Sequence, residues 1–131
     1  MFANRKIGNI CYYVSNIDRT ERFYRDVLGL DVQRMQDDGE GETGDWLIAS
    51  TAGGIDLIFF EMESRPGNSP IIVFELPDGG IEDVVQALAE KGTTIVTLVS
   101  HAPGGWSAEF ADADGHVISV YQSEDVPRTA S

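Results

Sequence analysis

The sequence predicts an α+β fold built from one βαβββ unit used twice, and three observations carry that expectation. The first is the stretch 110–121, where Asp112, Asp114 and Gly115 supply turn chemistry and a β-rich run from Val117 to Tyr121 follows. The second is its echo about sixty residues earlier, over 46–60, which likewise starts at a tryptophan (Trp46, against Trp106), turns at a glycine (Gly54, against Gly115) and leaves on an apolar strand. The third is that each hairpin is preceded by a strand, an amphipathic helix ending at a glycine, and a second strand. The expected modules are 5–62 and 70–122, joined by a linker at 63–69 and followed by a polar tail, 123–131, that should fray. All lie in one 131-residue domain.

Residues 7–14 form the first expected strand, with Asn9, Cys11 and Tyr13 at one parity and Ile10, Tyr12 and Val14 at the other. Asn16 offers a helix N-cap. Ile17, Thr20, Phe23, Tyr24, Val27 and Leu28 recur at helical spacing, and Gly29 ends the helix. A strand at 30–35, an acidic glycine-containing loop at 37–45 and the hairpin 46–60 complete the first module. In the second, 71–76 is a strand and Asp78 a possible helix cap. Ile81, Val84, Val85, Leu88 and Ala89 make the stripe that Gly92 stops. A strand at 93–99, a loop at 101–105 and the hairpin 106–121 follow. Each unit buries the helix-facing side of its sheet, and the two remaining faces, set side by side, would make a cup.

Composition limits the function. Apolar residues make up 42% and charged residues 24% of the chain, as in ordinary globular proteins. No run of about 18 apolar residues is present, so no membrane span is expected. The first six residues lack the apolar region of a secretory signal, and the single cysteine, Cys11, cannot form an internal disulfide; the cytoplasm is the expected compartment. A net charge of −13 disfavours nucleic acid and anionic membranes as partners. The charge reads first as a solubility feature, with attraction of a cationic ligand as the alternative.

The opening stretch 7–29, with Val14–Ser15–Asn16–Ile17, Phe23–Tyr24 and Leu28–Gly29, resembles the first module of the vicinal oxygen chelate superfamily. That superfamily includes glyoxalase I, bleomycin resistance proteins and extradiol dioxygenases. The Asp-Ala-Asp-Gly turn and following strand resemble its closing hairpin. The resemblance implies a homodimer, whose modules pair within a chain or by exchange between chains. It also implies a divalent metal held by four inward side chains, at positions that fall here on Asn9, Asp56, Ile71 and Ser119. The family pattern there is His or Gln, Glu, His and Glu. Of the four, only Asp56 is a good ligand, and one carboxylate cannot outcompete water for a cation. No metal or other cofactor is therefore expected, a degenerate divalent-metal site being the alternative.

Strand parity directs Asn9, Cys11, Tyr13, Asp56, Ile58, Phe60, Ile71, Val73, Val117, Ser119 and Tyr121 towards the cup, while Trp46 and Trp106 could wall it. An apolar lining with few polar groups suits a small organic ligand, apolar or aromatic and with room for a cationic group. For the apolar members, ordinary core packing is the competing explanation. Asp56, a carboxylate on an apolar strand, must be solvated, hydrogen-bonded or functional. It is the candidate catalytic base if the protein is a lyase or isomerase of the superfamily. His101, His116 and Cys11 read as surface or structural residues, and Arg34 is the nearest basic candidate. The absence of the needed histidines argues against extradiol dioxygenase or classical glyoxalase I chemistry.

Overall fold

The computed structural model describes residues 1–36, 44–63, 65 and 68–129. Most of the acidic loop expected at 37–45, part of the linker and the last two tail residues lie outside the described residues. The class is α+β and the order βαβββ–βαβββ is present. Two compact units are distinguished: Gly8–Pro70, and Met1–Ile7 with Ile71–Ser131. Among the described residues no helix is long and apolar enough to cross a membrane.

In the unit Gly8–Pro70 the strands β1 (Ile7–Val14), β2 (Asp31–Met35), β3 (Trp46–Ser50) and β4 (Asp56–Glu61) lie in the order β2-β3-β4-β1. β1 runs parallel to β4, with Asn9 opposite Asp56, and the other pairs are antiparallel. The helix α1 (Ile17–Arg22) begins where expected: the Asn16 side chain accepts the Arg19 N–H at 3.0 Å. The Glu61 carboxylate adds a second cap, accepting the Ile17 N–H at 2.8 Å. One face of the sheet is buried under this helix. Ile17, Leu47, Ala49 and Phe59 are its centre, joined by Tyr12, Val14, Tyr24, Leu30, Val32 and Leu57. Tyr12 stacks on Phe59, and the Tyr24 ring lies 4.5 Å from it.

The expected apolar stripe of this helix is only partly realised. After Arg22 the chain widens into a π-helical turn, Phe23–Val27, closed by the Leu28 N–H to the Phe23 carbonyl at 3.1 Å. A π turn advances each residue by a smaller angle than an α turn, so later apolar positions fall behind the stripe. Tyr24 still reaches the core, whereas Phe23, Val27 and Leu28 are exposed.

In the second unit, β5 (Ile71–Glu75), β6 (Thr94–Ala102), β7 (Gly105–Ala111) and β8 (Val117–Ser123) lie in the order β5-β8-β7-β6, with β5 parallel to β8. Here α2 (Ile81–Glu90) packs Ile81, Val84, Val85 and Leu88 on Ala108, Phe110 and Val120. Ala89 of the expected stripe is exposed. Phe2 joins this core, its ring edge-on to Phe74 at 5.1 Å and to Phe110 at 5.8 Å.

Three local expectations are corrected in this unit. Asp78 does not cap α2: the N-cap is Gly80, without a side-chain bond, and Ile81 N–H donates instead to the buried Gln122 amide oxygen at 2.9 Å. His101 is not in a loop, because β6 runs on to Ala102 and turns through Pro103–Gly104 alone. Gly104 has φ +72°, the value a tight turn after proline requires. The tail does not fray through Arg128; its backbone is hydrogen-bonded to the start of α2.

Candidate ligand-binding face

The helix of the unit Gly8–Pro70 claims one parity of every strand, which leaves the other parity on the opposite face. On that helix-distal face β1 presents Asn9, Cys11 and Tyr13, β4 presents Asp56, Ile58 and Phe60, and β3 presents Trp46 and Ile48. The aromatic members meet: Trp46 and Phe60 are opposite each other across the antiparallel pair, stacked at 5.6 Å with 28° between their planes. Tyr13 is the register partner of Phe60 on the other side. Its backbone N–H is held by the Ser69 hydroxyl at 2.9 Å.

At the other end of the face are the polar groups. Asn9 and Asp56 are register partners at the start of the parallel pair, and the Cys11 thiol donates to the Asn9 side-chain oxygen at 3.3 Å. That bond holds Cys11 towards an amide. Asp56 is half-buried, and among the described residues its carboxylate makes no hydrogen bond or ion pair. A carboxylate held so can accept a proton or a hydrogen bond, or face a cation. Ile48 belongs to this face as well; the alternation running from Trp46 through β3 is the signal that could have identified it.

The remaining candidates lie in the second unit. Ile71 and Val73 are buried, with 2% and 5% of their surface exposed. Ser119 is also buried, and its hydroxyl donates to the Ala108 carbonyl at 3.0 Å. The Tyr121 hydroxyl donates to the Pro103 carbonyl at 2.8 Å, and burial chiefly raises its pKa, which keeps the phenol neutral. Trp106 takes the packing alternative. It packs on the helix-facing cluster with Ala108 and Phe110, edge-on to His101 at 5.7 Å and beneath the Arg128 guanidinium.

The reason for that placement lies in the registers. Trp46 pairs with Phe60 and Leu47 with Phe59, whereas Gly105 pairs with Ser123 and Trp106 with Gln122. Trp46 thus corresponds to Gly105, and Trp106 to Leu47. A side chain at 105 would run into the Gln122 backbone, so the indole in this unit stands one residue later. One residue along a strand is the opposite face.

The residues at the metal-equivalent positions do not form a divalent-cation donor set. In the unit Gly8–Pro70 they are an amide already accepting from a thiol and one carboxylate. In the second unit they are an aliphatic side chain and a hydroxyl that donates to the Ala108 carbonyl of β7. Among the described residues no three His, Cys, Asp or Glu side chains converge. Arg34, the nearest basic candidate, is engaged by three carboxylates. Its guanidinium bonds Asp18 at 2.9 Å, Glu21 at 2.8 Å and Asp45 at 3.3 Å, and the Asp18 bond first among these raises its already high pKa. His116 is exposed in its turn, 3.1 Å from Asp112. A depression of about 600 Å³, wide open to solvent, lies where β1 and β4 end, among Val14, Ser15, Glu61, Met62 and Glu63. Sequence periodicity gave no sign of it.

Comparison with known proteins identifies this architecture. Residues 6–120 match the model of the Glyoxalase/Bleomycin resistance protein/Dioxygenase superfamily. The chain is 31% identical to metallothiol transferase FosB of Staphylococcus epidermidis over 121 residues, covering 88% of this chain and 81% of that protein. The same figures hold for FosB of Staphylococcus haemolyticus. Among solved structures, the hypothetical protein BH1468 of Bacillus halodurans C-125 superposes with a TM-score of 0.73 at 18% identity, over 92% of this chain and 96% of that one. Methylmalonyl-CoA epimerase of Mycobacterium tuberculosis does so with a TM-score of 0.67 at 16% identity, over 99% and 96%. These structural likenesses are likenesses of fold. The family model over residues 6–120 and the 31% identity to FosB, with the matched repeat, the capped first helix and the closing Asp-Ala-Asp-Gly hairpin, lead to one conclusion: the chain belongs to the glyoxalase/bleomycin resistance protein/dioxygenase superfamily.

Proposed function

We propose that this protein binds a small apolar or aromatic organic molecule, one that can carry a cationic group, on the helix-distal face of the unit Gly8–Pro70, without a metal. The observation that carries this reading is that one face bears the stacked Trp46–Phe60 pair at one end and, at the other, the half-buried Asp56, which has no hydrogen bond or ion pair among the described residues. Stacked rings offer a flat apolar surface and the negative faces that attract cations, and a carboxylate on the same face supplies the matching charge. The donor chemistry at Asn9, Ile71 and Ser119 supports a metal-free site. The net charge of −13 favours cationic over anionic ligands and disfavours nucleic acid and membrane partners. A cytoplasmic homodimer completes the reading.

A second reading is favoured by Asp56 alone: a lyase or isomerase in which this carboxylate removes a proton from bound substrate. A carboxylate with no competing donor among the described residues suits that role.

Thermal-shift and calorimetric titration separates these readings. The protein is tested against nickel, zinc, manganese and iron, then against aromatic amines and their neutral analogues. Stabilisation by an aromatic cation, lost in Asp56→Ala and Trp46→Ala, is the expected result. Tight binding of one metal per chain would overturn the metal-free reading. Turnover of a bound carbon acid that disappears in Asp56→Asn would move the assignment to the enzyme.

A further inference from the structure

The chain after β8 turns back across the first turn of α2. Gly80 N–H donates to the Pro127 carbonyl at 2.8 Å, and Glu82 N–H to the Arg128 carbonyl at 2.9 Å. Between them, Ile81 N–H is taken by the Gln122 side-chain oxygen, and the Gln122 amide nitrogen donates to the Val126 carbonyl at 2.9 Å. Three successive amides at the start of the helix are thus satisfied by the tail and by one glutamine that the tail itself holds. The Arg128 side chain adds a 2.8 Å ion pair to Glu82 and lies 4.0 Å above the Trp106 ring. The fit is close: at Gly79, with φ +81°, any side chain would collide with the Pro127 carbonyl.

A helix start leaves its first amides unbonded, and a side chain at the N-cap ordinarily satisfies one of them. Gly80 carries no such group. We propose that Val126, Pro127 and Arg128 are a detachable strap that stands in for the missing cap. Closed, it satisfies the amides of α2 and covers the Trp106 indole. Released, it frees both together, so exposure of Trp106 is coupled to the position of the C-terminal chain. The coupling arises because one segment supplies the carbonyls through its backbone and the indole cover through the Arg128 side chain.

The test reads amide hydrogen exchange at residues 80 and 82 together with Trp106 fluorescence, the latter in a Trp46→Phe background that leaves one indole. A chain lacking 126–131 should exchange those amides about five- to tenfold faster and shift the indole emission to the red. A chain lacking only 129–131 should match the parent. Arg128→Ala should shift the emission while protection of the two amides stays within about twofold, since their acceptors are backbone carbonyls. Gly79→Ala should reproduce the truncation with every tail residue still present. The proposal is overturned if the 126–131 deletion leaves either readout at the parent value. Should that chain not fold, full-length Gly79→Ala and Arg128→Ala decide: parent-like exchange in the first, or parent-like emission in the second, overturns it equally.

Discussion

Phe59 and Gln122 occupy corresponding places in the two units, opposite Leu47 in one and Trp106 in the other, yet they solve different problems. Phe59 is fully buried and is the ring on which Tyr12 and Tyr24 pack. Gln122 is equally buried and puts an amide where its counterpart puts hydrocarbon, to hold the start of α2. In the first unit the helix cap comes from outside the core, from Asn16 and Glu61, so the core position is free to be apolar. Where Gly80 replaces a capping side chain, the cap comes from the sheet, through Gln122, and from the tail. A repeated topology fixes which strand follows which; it does not fix where each unit places its polar groups.

The comparison breaks most visibly at Phe59. Phe59→Ala should lower the free energy of unfolding by about 3–5 kcal/mol, because the lost transfer energy adds to the cavity left under Tyr12 and Tyr24. Denaturant unfolding measures it. A loss no larger than that of the mildest core truncation would mean the ring cluster is not the keystone of its unit. Gln122→Leu, close in size, should cost about 1–3 kcal/mol, since the Ile81 N–H is left buried without an acceptor. A neutral or stabilising result would show that water or the tail can replace the amide. The weakest of the three is Asn16→Ala, at about 1 kcal/mol, because Glu61 continues to satisfy its own amide of α1. Equal losses in Gln122→Leu and Asn16→Ala would erase the distinction between a cap drawn from the core and one drawn from the surface.

Much of this was legible in the sequence, and the failures have specific causes. The alternation over 7–14 reads correctly at its C-terminal end, where Tyr12 and Val14 join the core under α1 and Cys11 and Tyr13 take the other parity. Asn16 reads as a cap because its geometry is local. For Trp106 the sequence leaves packing and the open face as alternatives, because the two stretches align on their tryptophans, whereas the cross-strand register aligns Trp46 with Gly105. Nothing local reveals that a side chain at 105 would strike Gln122. Asp78 reads as a possible cap for the same reason: its competitor, Gln122, is distant in sequence, and only the sheet brings it to the helix. Arg128 lies in a polar tail of unremarkable composition, and its contacts to Glu82 and Trp106 are long-range. The helix stripe went wrong at Phe23 because a π turn changes the period on which the stripe was read. At the candidate site, residue types pointed to Asp56, while the stacked Trp46–Phe60 pair needed the register of β3 on β4.

The two hairpin turns give the subtlest contrast. In the first, Thr51 closes the turn with a hydroxyl, donating to the Ile55 carbonyl at 2.6 Å, and nothing in that bond titrates near neutrality. In the second, the Asp112 carboxylate accepts the N–H groups of Asp114 at 3.0 Å and His116 at 2.9 Å, with the His116 ring 3.1 Å away. The His116 backbone bond is the main influence holding the Asp112 pKa below the ordinary carboxylate value. A carboxylate depressed in the folded state contributes its stability in full above the unfolded pKa and loses it as pH falls through the folded value. Acidification should therefore loosen the turn at 112–116 before it affects the one at 51–55. The thermal midpoints of the parent and Asp112→Ala should differ slightly at neutral pH and converge in acid. Thr51→Val should instead give an offset that does not change with pH. A gap between parent and Asp112→Ala that persists unchanged into acid would assign the turn's stability to Gly115 and chain geometry instead of to the carboxylate.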